Sequence, residues 1–270
     1  MKEDVQSSLQ QSPAFPLAEW TTNTAIGLTI NVLRQGDVPQ HIAFIMDGNR
    51  RFAKEVGIEV KAGHKRGSLP FQKLCDFGFR TGVKTVTAFV FSIENYKRPQ
   101  SEIDGLLELL SEKMNDVYLM AQKHEACVRL LGERELIRHD VLAELEELEA
   151  KTRNNTKAAL NMCFAYTGRA EITSAIRSAV SEMADEQATG ESEGRHSQAI
   201  GLESIEKKLY TSDDPPLDIV IRTSGAERLS DFLLWQCNQD TQIYFLKCLW
   251  PQIGVLHLIM VFMEWQWRRK

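Results

Sequence analysis

Four short stretches carry side chains suited to a doubly charged anion. The first is Asp47-Gly48-Asn49-Arg50-Arg51, directly after the apolar run Ile42–Met46. A carboxylate at the end of a buried strand is placed to hold Mg2+, which favours one or two carboxylates together with substrate phosphate oxygens. Gly48 lets a phosphate approach the backbone, and the forked donors of Arg50 and Arg51 match phosphate oxygens. The second stretch is FSIENYKRP, Phe91 to Pro99, where Asn95 offers an orienting amide, Arg98 a charge and Tyr96 an aromatic wall. The third follows Ile219–Arg222: a Thr-Ser-Gly turn, then Arg228 and Ser230. These two arginines and a hydroxyl would clamp a diphosphate if the turn folds back. The fourth is AGHKRG, with His64, Lys65 and Arg66 ahead of a helix expected over 67–81. Free N–H groups at such a helix start attract anions. Each stretch alone also fits a plainer role: a capped turn, a basic surface cluster or a salt-bridged loop.

The elements that must position these residues alternate. Strands are expected at 42–46, 85–91, 127–131, 158–166, 217–221 and 242–246. Helices are expected at 17–36, 67–81, 102–123, 140–153, 168–183 and 255–267. In the helix at 102–123, Ile103, Leu106, Leu107, Leu110, Met114 and Val117 share one face, the 3.6-residue period of an amphipathic helix. Strands alternating with helices predict an α/β fold: a single domain with a central, mostly parallel sheet flanked by helices. Three of the four anion-friendly stretches then leave strand carboxyl ends, where open α/β sheets bind ligands. The apolar helix face and the TVTAFVF strand are expected as ordinary core, with lining of a deep apolar cavity as the sharper alternative. Residues 1–38 read as a polar segment and a short helix, 39–270 as the main domain, and 184–200 as a polar, flexible loop.

Composition narrows the function classes. The chain has 270 residues, 43% hydrophobic and 26% charged, enough for a sizeable core. A net charge of −5 argues against general nucleic-acid binding. The five cysteines form no CxxC pair, so neither a zinc site nor a disulfide framework is signalled. The N-terminus has no signal-peptide core, and Val255–Met263 is too short to span a bilayer. The helix at 255–267 is expected as a core or dimer helix. Alternatively it touches a membrane surface, since Leu256, Ile259, Met260, Met263 and Trp267 share a face beside Arg268, Arg269 and Lys270.

The motifs HIAFIMDGNRRFAK, GHKRG, FSIENYKRP and IRTSGAERLSDFLLWQ…LWP, in this order, resemble the cis-prenyltransferases, the family of undecaprenyl and dehydrodolichyl diphosphate synthases. The variants MDGNRR and RTSG look like its eukaryotic branch. The resemblance spans roughly 39–251. It implies one α/β domain with a hydrophobic tunnel and Mg2+-dependent addition of isopentenyl diphosphate to an allylic primer, usually farnesyl diphosphate. Each new double bond is cis, and the product is a long lipid diphosphate that feeds dolichol synthesis and protein glycosylation. By resemblance, Asp47 is the Mg2+-binding and catalytic aspartate. Gly48, Asn49, Arg50, Arg51, Phe52 and His64 form the allylic diphosphate site. Ser92, Glu94, Asn95, Tyr96 and Arg98 orient the reacting groups, with Asn95 assisting proton removal, and Arg222, Arg228 and Ser230 clamp isopentenyl diphosphate.

The sequence also departs from the pattern. Val60 stands where the family has an arginine, with Lys61 beside it. Ala226 stands where a glutamate is common, with Glu227 beside it, and a late Mg2+-binding glutamate aligns near Gln242. Homomeric members end in an Arg-X-Gly tail, whereas this chain ends EWQWRRK. The resemblance therefore implies a heteromer with a Nogo-B-receptor-like subunit that supplies the tail and a membrane anchor. It would sit peripherally on the cytosolic face of the endoplasmic reticulum or on a lipid droplet. Alternatives are a short-chain synthase, a weakly catalytic scaffold subunit, or an unrelated phosphate-binding hydrolase. The last would need a second carboxylate or a nucleophile near Asp47, and the sequence offers no such motif.

Overall fold

The computed structural model describes residues 14–188, 200–238 and 240–269. Its centre is a six-stranded parallel sheet in the order β3-β4-β2-β1-β5-β6. The strands are β1 (His41–Ile45), β2 (Thr85–Ser92), β3 (Ala126–Leu131), β4 (Ala158–Tyr166), β5 (Ile219–Arg222) and β6 (Gln242–Phe245). Every residue of β1 and β5 is buried, as expected when both faces of a parallel sheet are covered.

The helices are α1 (Ala14–Leu33), α2 (Asn49–Val56), α3 (Val60–Thr81), α4 (Gln100–His124), α5 (His139–Thr152), α6 (Gly168–Ala188), α7 (Leu202–Glu206) and α8 (Val255–Arg268). Ile30 and Leu33 of α1 are buried in the main core with Phe44, Phe77 and Phe262.

Strand β1 pairs with β2 on one side and β5 on the other. From β1 the chain passes to β2 on one side, and from β5 to β6 on the other, so the crevice at the carboxyl ends of these neighbouring strands is the topological switch point. Asp47 follows β1, Ile93–Lys97 follows β2, and the turn from Thr223 follows β5.

Two expectations need correction. The helix expected over 67–81 begins at Val60. Gly63, Gly67 and Pro70 have poor helix propensity, yet they are buried inside the helix. A Cβ on Gly63 would stand 2.8 Å from Ala53 Cβ, and one on Gly67 2.6 Å from Asn49 Oδ1 and 2.8 Å from Trp250 Cδ1. These glycines let α3 press against α2 and Trp250, and that packing overrides their poor helix propensity. The second correction concerns the loop expected over 184–200. Helix α6 continues to Ala188, and 189–199 lie outside the described residues. The leading residues 1–13 and Lys270 lie outside them too.

Candidate active site

Asp47 is fixed through its backbone before its side chain acts. Its carbonyl accepts the Thr223 hydroxyl at 2.6 Å and the Trp250 N–H at 3.0 Å. Gly48 then turns the chain into α2 with φ 112°. A side chain at Gly48 would be strained there, and its Cβ would stand 2.9 Å from Leu249 Cδ2.

The carboxylate meets a buried cation. Arg222 Nη2 donates to Asp47 Oδ2 at 2.8 Å, and Arg51 Nη2 stands 3.6 Å from the same oxygen. Burial alone would raise the Asp47 pKa. The hydrogen bond from Arg222 and the charges of Arg222 and Arg51 outweigh it and hold the carboxyl below its ordinary value. Arg222 is 3% exposed. Its Nη1 also donates to the Arg228 carbonyl at 2.6 Å and to Ser230 Oγ at 2.7 Å. The guanidinium thus ties Asp47 to the turn after β5. Ser224, Ser230, Asp231 and Leu233 in that turn take positive φ values of 81°, 54°, 63° and 45°. Strained backbone of this kind persists where surrounding contacts over-determine it.

The loop after β2 is built by its own side chains. Asn95 Oδ1 accepts the Ser92 N–H at 3.0 Å, and Ser92 Oγ accepts the Glu94 N–H at 3.2 Å, a reciprocal cap. With Oδ1 engaged, Asn95 has its NH2 left to offer a ligand. Arg98 donates to Glu102 Oε1 at 3.0 Å, and Arg50 stands 3.8 Å from Glu102 Oε2.

These loops rim one cavity of about 670 Å³. Its polar lining is Asp47, Asn49, Arg50, His64, Ser92, Glu94, Asn95, Arg98, Arg222, Arg228 and Ser230. Its apolar lining includes Phe71, Val90, Phe91, Leu106, Leu110 and Phe164. The α4 face and the TVTAFVF strand therefore belong to the core, as the plainer expectation has it, and also line a void, as the sharper one has it. A helical apolar period does not tell a packed face from one that borders empty space.

Several predicted residues stand elsewhere. Tyr96 donates to the Leu136 carbonyl at 2.7 Å and packs edge-on against Phe91, outside the cavity lining. Phe52 is buried under Arg66, whose guanidinium lies 5.9 Å from the ring centre. Lys65 pairs with Glu112 at 3.1 Å, so of the three basic residues in AGHKRG only His64 lines the cavity. His64 also sits within α3 rather than ahead of it. Burial, then the charges of Arg98 and Arg50 against the pull of Glu102, press its pKa down to about 4. The ring is neutral at pH 7, and its buried Nε2 finds no partner among the described residues.

The departures fall outside the cavity. Lys61 pairs with Glu108 at 2.6 Å, and Val60, Ala226 and Glu227 do not line it. Gln242 opens β6 opposite Ile219, at the other end of the sheet from Arg222. Among the lining residues that sequence reasoning missed, Trp250, Asp231 and Lys113 carry polar groups. The first two lie inside quoted motifs. Lys113 carries no signal, because a lysine on an amphipathic helix reads as solvent-facing.

Among the described residues, no three His, Cys, Asp or Glu side chains are grouped to hold a metal ion. Arg222 and Arg51 both approach Asp47 Oδ2, which leaves Oδ1 without an ion pair. The residues therefore fit a Mg2+ ion shared with a bound diphosphate rather than one caged by protein alone.

A family model described as putative undecaprenyl diphosphate synthase, of the prenyltransferase type, matches residues 45–270. The chain belongs to this family. It is 37% identical over 254 residues to a dehydrodolichyl diphosphate synthase complex subunit of Schizosaccharomyces pombe, covering 93% of this chain and 94% of that protein. The human subunit of the same description is 39% identical over 240 residues, covering 87% of this chain and 69% of that protein. The fold matches the crystal structure of lavandulyl diphosphate synthase from Lavandula x intermedia in complex with dimethylallyl diphosphate. That match has a TM-score of 0.76 at 25% identity, over 85% of this chain and 95% of that one. In this prenyltransferase Asp47, Asn95, Arg222 and Arg228 all border one cavity.

Proposed function

We propose that the chain is the catalytic subunit of a cis-prenyltransferase that joins isopentenyl diphosphate to farnesyl diphosphate and makes a long polyprenyl diphosphate of the dehydrodolichyl type. The observation that carries this reading is one cavity lined by charged loop residues and by apolar side chains of α4, β2 and β4. Such a site grips two diphosphates and shelters hydrocarbon.

The allylic diphosphate lies at Asn49, Arg50 and His64, with Asp47 at its edge. Neutral His64 donates or accepts a hydrogen bond without adding charge. Isopentenyl diphosphate lies against Arg228 and Ser230. The new carbon–carbon bond forms as the carbon–oxygen bond to the allylic diphosphate breaks, and the proton lost from the isopentenyl unit passes to a diphosphate oxygen. Arg50 stabilises the departing charge, as preorganised donors do in a site that excludes water. The Asn95 NH2 orients a phosphate oxygen, and with its Oδ1 tied to Ser92 it acts as a donor rather than a base. Mg2+, held by Asp47 and the diphosphate together, would add positive charge to the leaving group.

Two further parts of the reading concern assembly. The relatives named as complex subunits support a heteromer with a Nogo-B-receptor-like partner. The Arg228 guanidinium makes no ion pair among the described residues, which leaves it open to ligand. Among the described residues, no helix is long and apolar enough to cross a membrane. Peripheral contact, at the endoplasmic reticulum or a lipid droplet, is supported by the α8 stripe of Leu256, Met260, Met263 and Trp267, which are 59–76% exposed.

The test is uptake of labelled isopentenyl diphosphate into butanol-extractable lipid, with farnesyl diphosphate and Mg2+, with and without the partner subunit, followed by chain-length separation. Long product that requires the partner is expected. Strong activity of the chain alone would remove the obligate heteromer. Short product would move the reading to a short-chain synthase. No uptake with a competent partner would leave a scaffold.

A further inference from the structure

The two loops that must hold isopentenyl diphosphate and orient it leave different strands, and one side chain reaches both. Arg169, in the first turn of α6, donates through Nε to Asp231 Oδ2 at 2.6 Å. Its backbone N–H donates to Asp231 Oδ1 at 3.0 Å. Its Nη2 stands 3.7 Å from Glu94 Oε1, in the loop after β2. Asp231 is next to Ser230, both with left-handed φ values, and its carbonyl accepts the Gly168 N–H at 2.6 Å. The α6 amino end is thus occupied by the Asp231 carboxylate and carbonyl rather than left open for an external anion. The Asp231 side chain is 13% exposed, so this carboxylate is screened little by water. Neither loop holds the other through Arg222, which reaches Asp47 and the β5 turn only.

We propose that Arg169 is a positioning residue that sets the spacing between the Asn95 loop and the Arg228–Ser230 loop, and so tunes recognition of isopentenyl diphosphate. This deepens the functional reading above and rests on it. Arg169 and Asp231 act as a unit, with Glu94 as the weaker second anchor. The Arg169 side chain is 73% exposed and Glu94 also pairs with Lys97, so the contact draws its strength from the buried Asp231 carboxylate and the backbone hydrogen bond to it.

The test compares Arg169→Gln, Arg169→Lys, Asp231→Asn and the double variant Arg169→Gln/Asp231→Asn. Each full chain is purified with the subunit it assembles with. The expected result is a rise of roughly three- to tenfold in KM for isopentenyl diphosphate in Arg169→Gln, with the KM for farnesyl diphosphate and the melting temperature little changed. Arg169→Lys recovers part of the loss, and the double variant is no worse than the more impaired single, because the two residues serve one contact. Wild-type kinetics in Arg169→Gln, or an equal loss for both substrates with a lowered melting temperature, overturns the proposal. If the wild-type complex takes up no label, the functional reading fails by itself. Calorimetric binding of inorganic diphosphate then decides the inference: weaker binding in Arg169→Gln supports it and unchanged binding overturns it.

Discussion

At the scale of single residues, charge state is set by neighbours. Asp47 stays ionised because Arg222 and Arg51 outweigh its burial. Its folded pKa lies below the unfolded one, so its share of stability is present above the unfolded value and is lost as pH falls through the folded value. His64 works over a different window. Its folded pKa of about 4 lies below the ordinary 6.5. Between these values the unfolded chain binds a proton that the folded chain refuses, so stability falls as pH drops from 6.5 to about 4. A urea-unfolding series across that range is expected to show this slope in the native protein and a flatter one in His64→Asn. A native curve that is flat from pH 6.5 to 4 would contradict the burial assigned to His64.

At the scale of elements, the close approach of α2 and α3 rests on missing side chains. Gly67→Ala would push a methyl into Asn49 and Trp250, both on the cavity wall. It is expected to destabilise by about 1–3 kcal/mol. Gly105→Ala is the matching control: its Cβ would meet nothing nearer than Lys61 Cδ at 3.9 Å, and alanine in a helix interior stabilises by about 0.5–1 kcal/mol. Thermal melts of the two variants should move in opposite directions. The same elements show what sequence could reveal. All six strands were legible: the inner ones are short, buried apolar runs bounded by polar turns, and the edge strand β6 keeps enough apolar and aromatic residues to read the same way. The end of each functional strand was legible too, since Asp47, Asn95 and Arg222 break the apolar runs abruptly. The start of α3 was not, because Gly63 and Gly67 lower helix propensity locally while their value lies in a contact with α2 and Trp250. The places of Tyr96 and Phe52 were not legible either, because an aromatic beside a charged motif reads the same whether it faces ligand or core. Arg169 lacked a signal altogether: its partners Glu94 and Asp231 are 75 and 62 positions away in sequence.

At the scale of the whole molecule, the sheet order brings three loops to one crevice, and α8 presents a second surface away from it. On α8, Leu258, Ile259, Val261, Phe262 and Trp265 face the core, while Leu256, Met260, Met263 and Trp267 face outward. The sequence grouping placed Ile259 with the outward set, and burial moves it inward. Trp267 beside Arg268 and Arg269 suits an anionic lipid surface. Replacing Leu256, Met260 and Trp267 by serine is expected to weaken co-sedimentation with anionic vesicles severalfold. Stability should change little, because exposed positions rarely matter by more than about 0.5 kcal/mol. Unchanged sedimentation would count against the membrane contact and leave the cavity chemistry untouched. The most direct test of the central claim, that the cavity rimmed by Asp47 is the catalytic centre, is the rate of labelled isopentenyl diphosphate uptake in native protein and in Asp47→Asn. Asparagine keeps the shape beside Arg222 and removes the charge, and both melting temperatures are recorded. The account predicts a loss of at least about 100-fold in rate with a folded variant, whereas a folded Asp47→Asn protein that retains the native rate would contradict it.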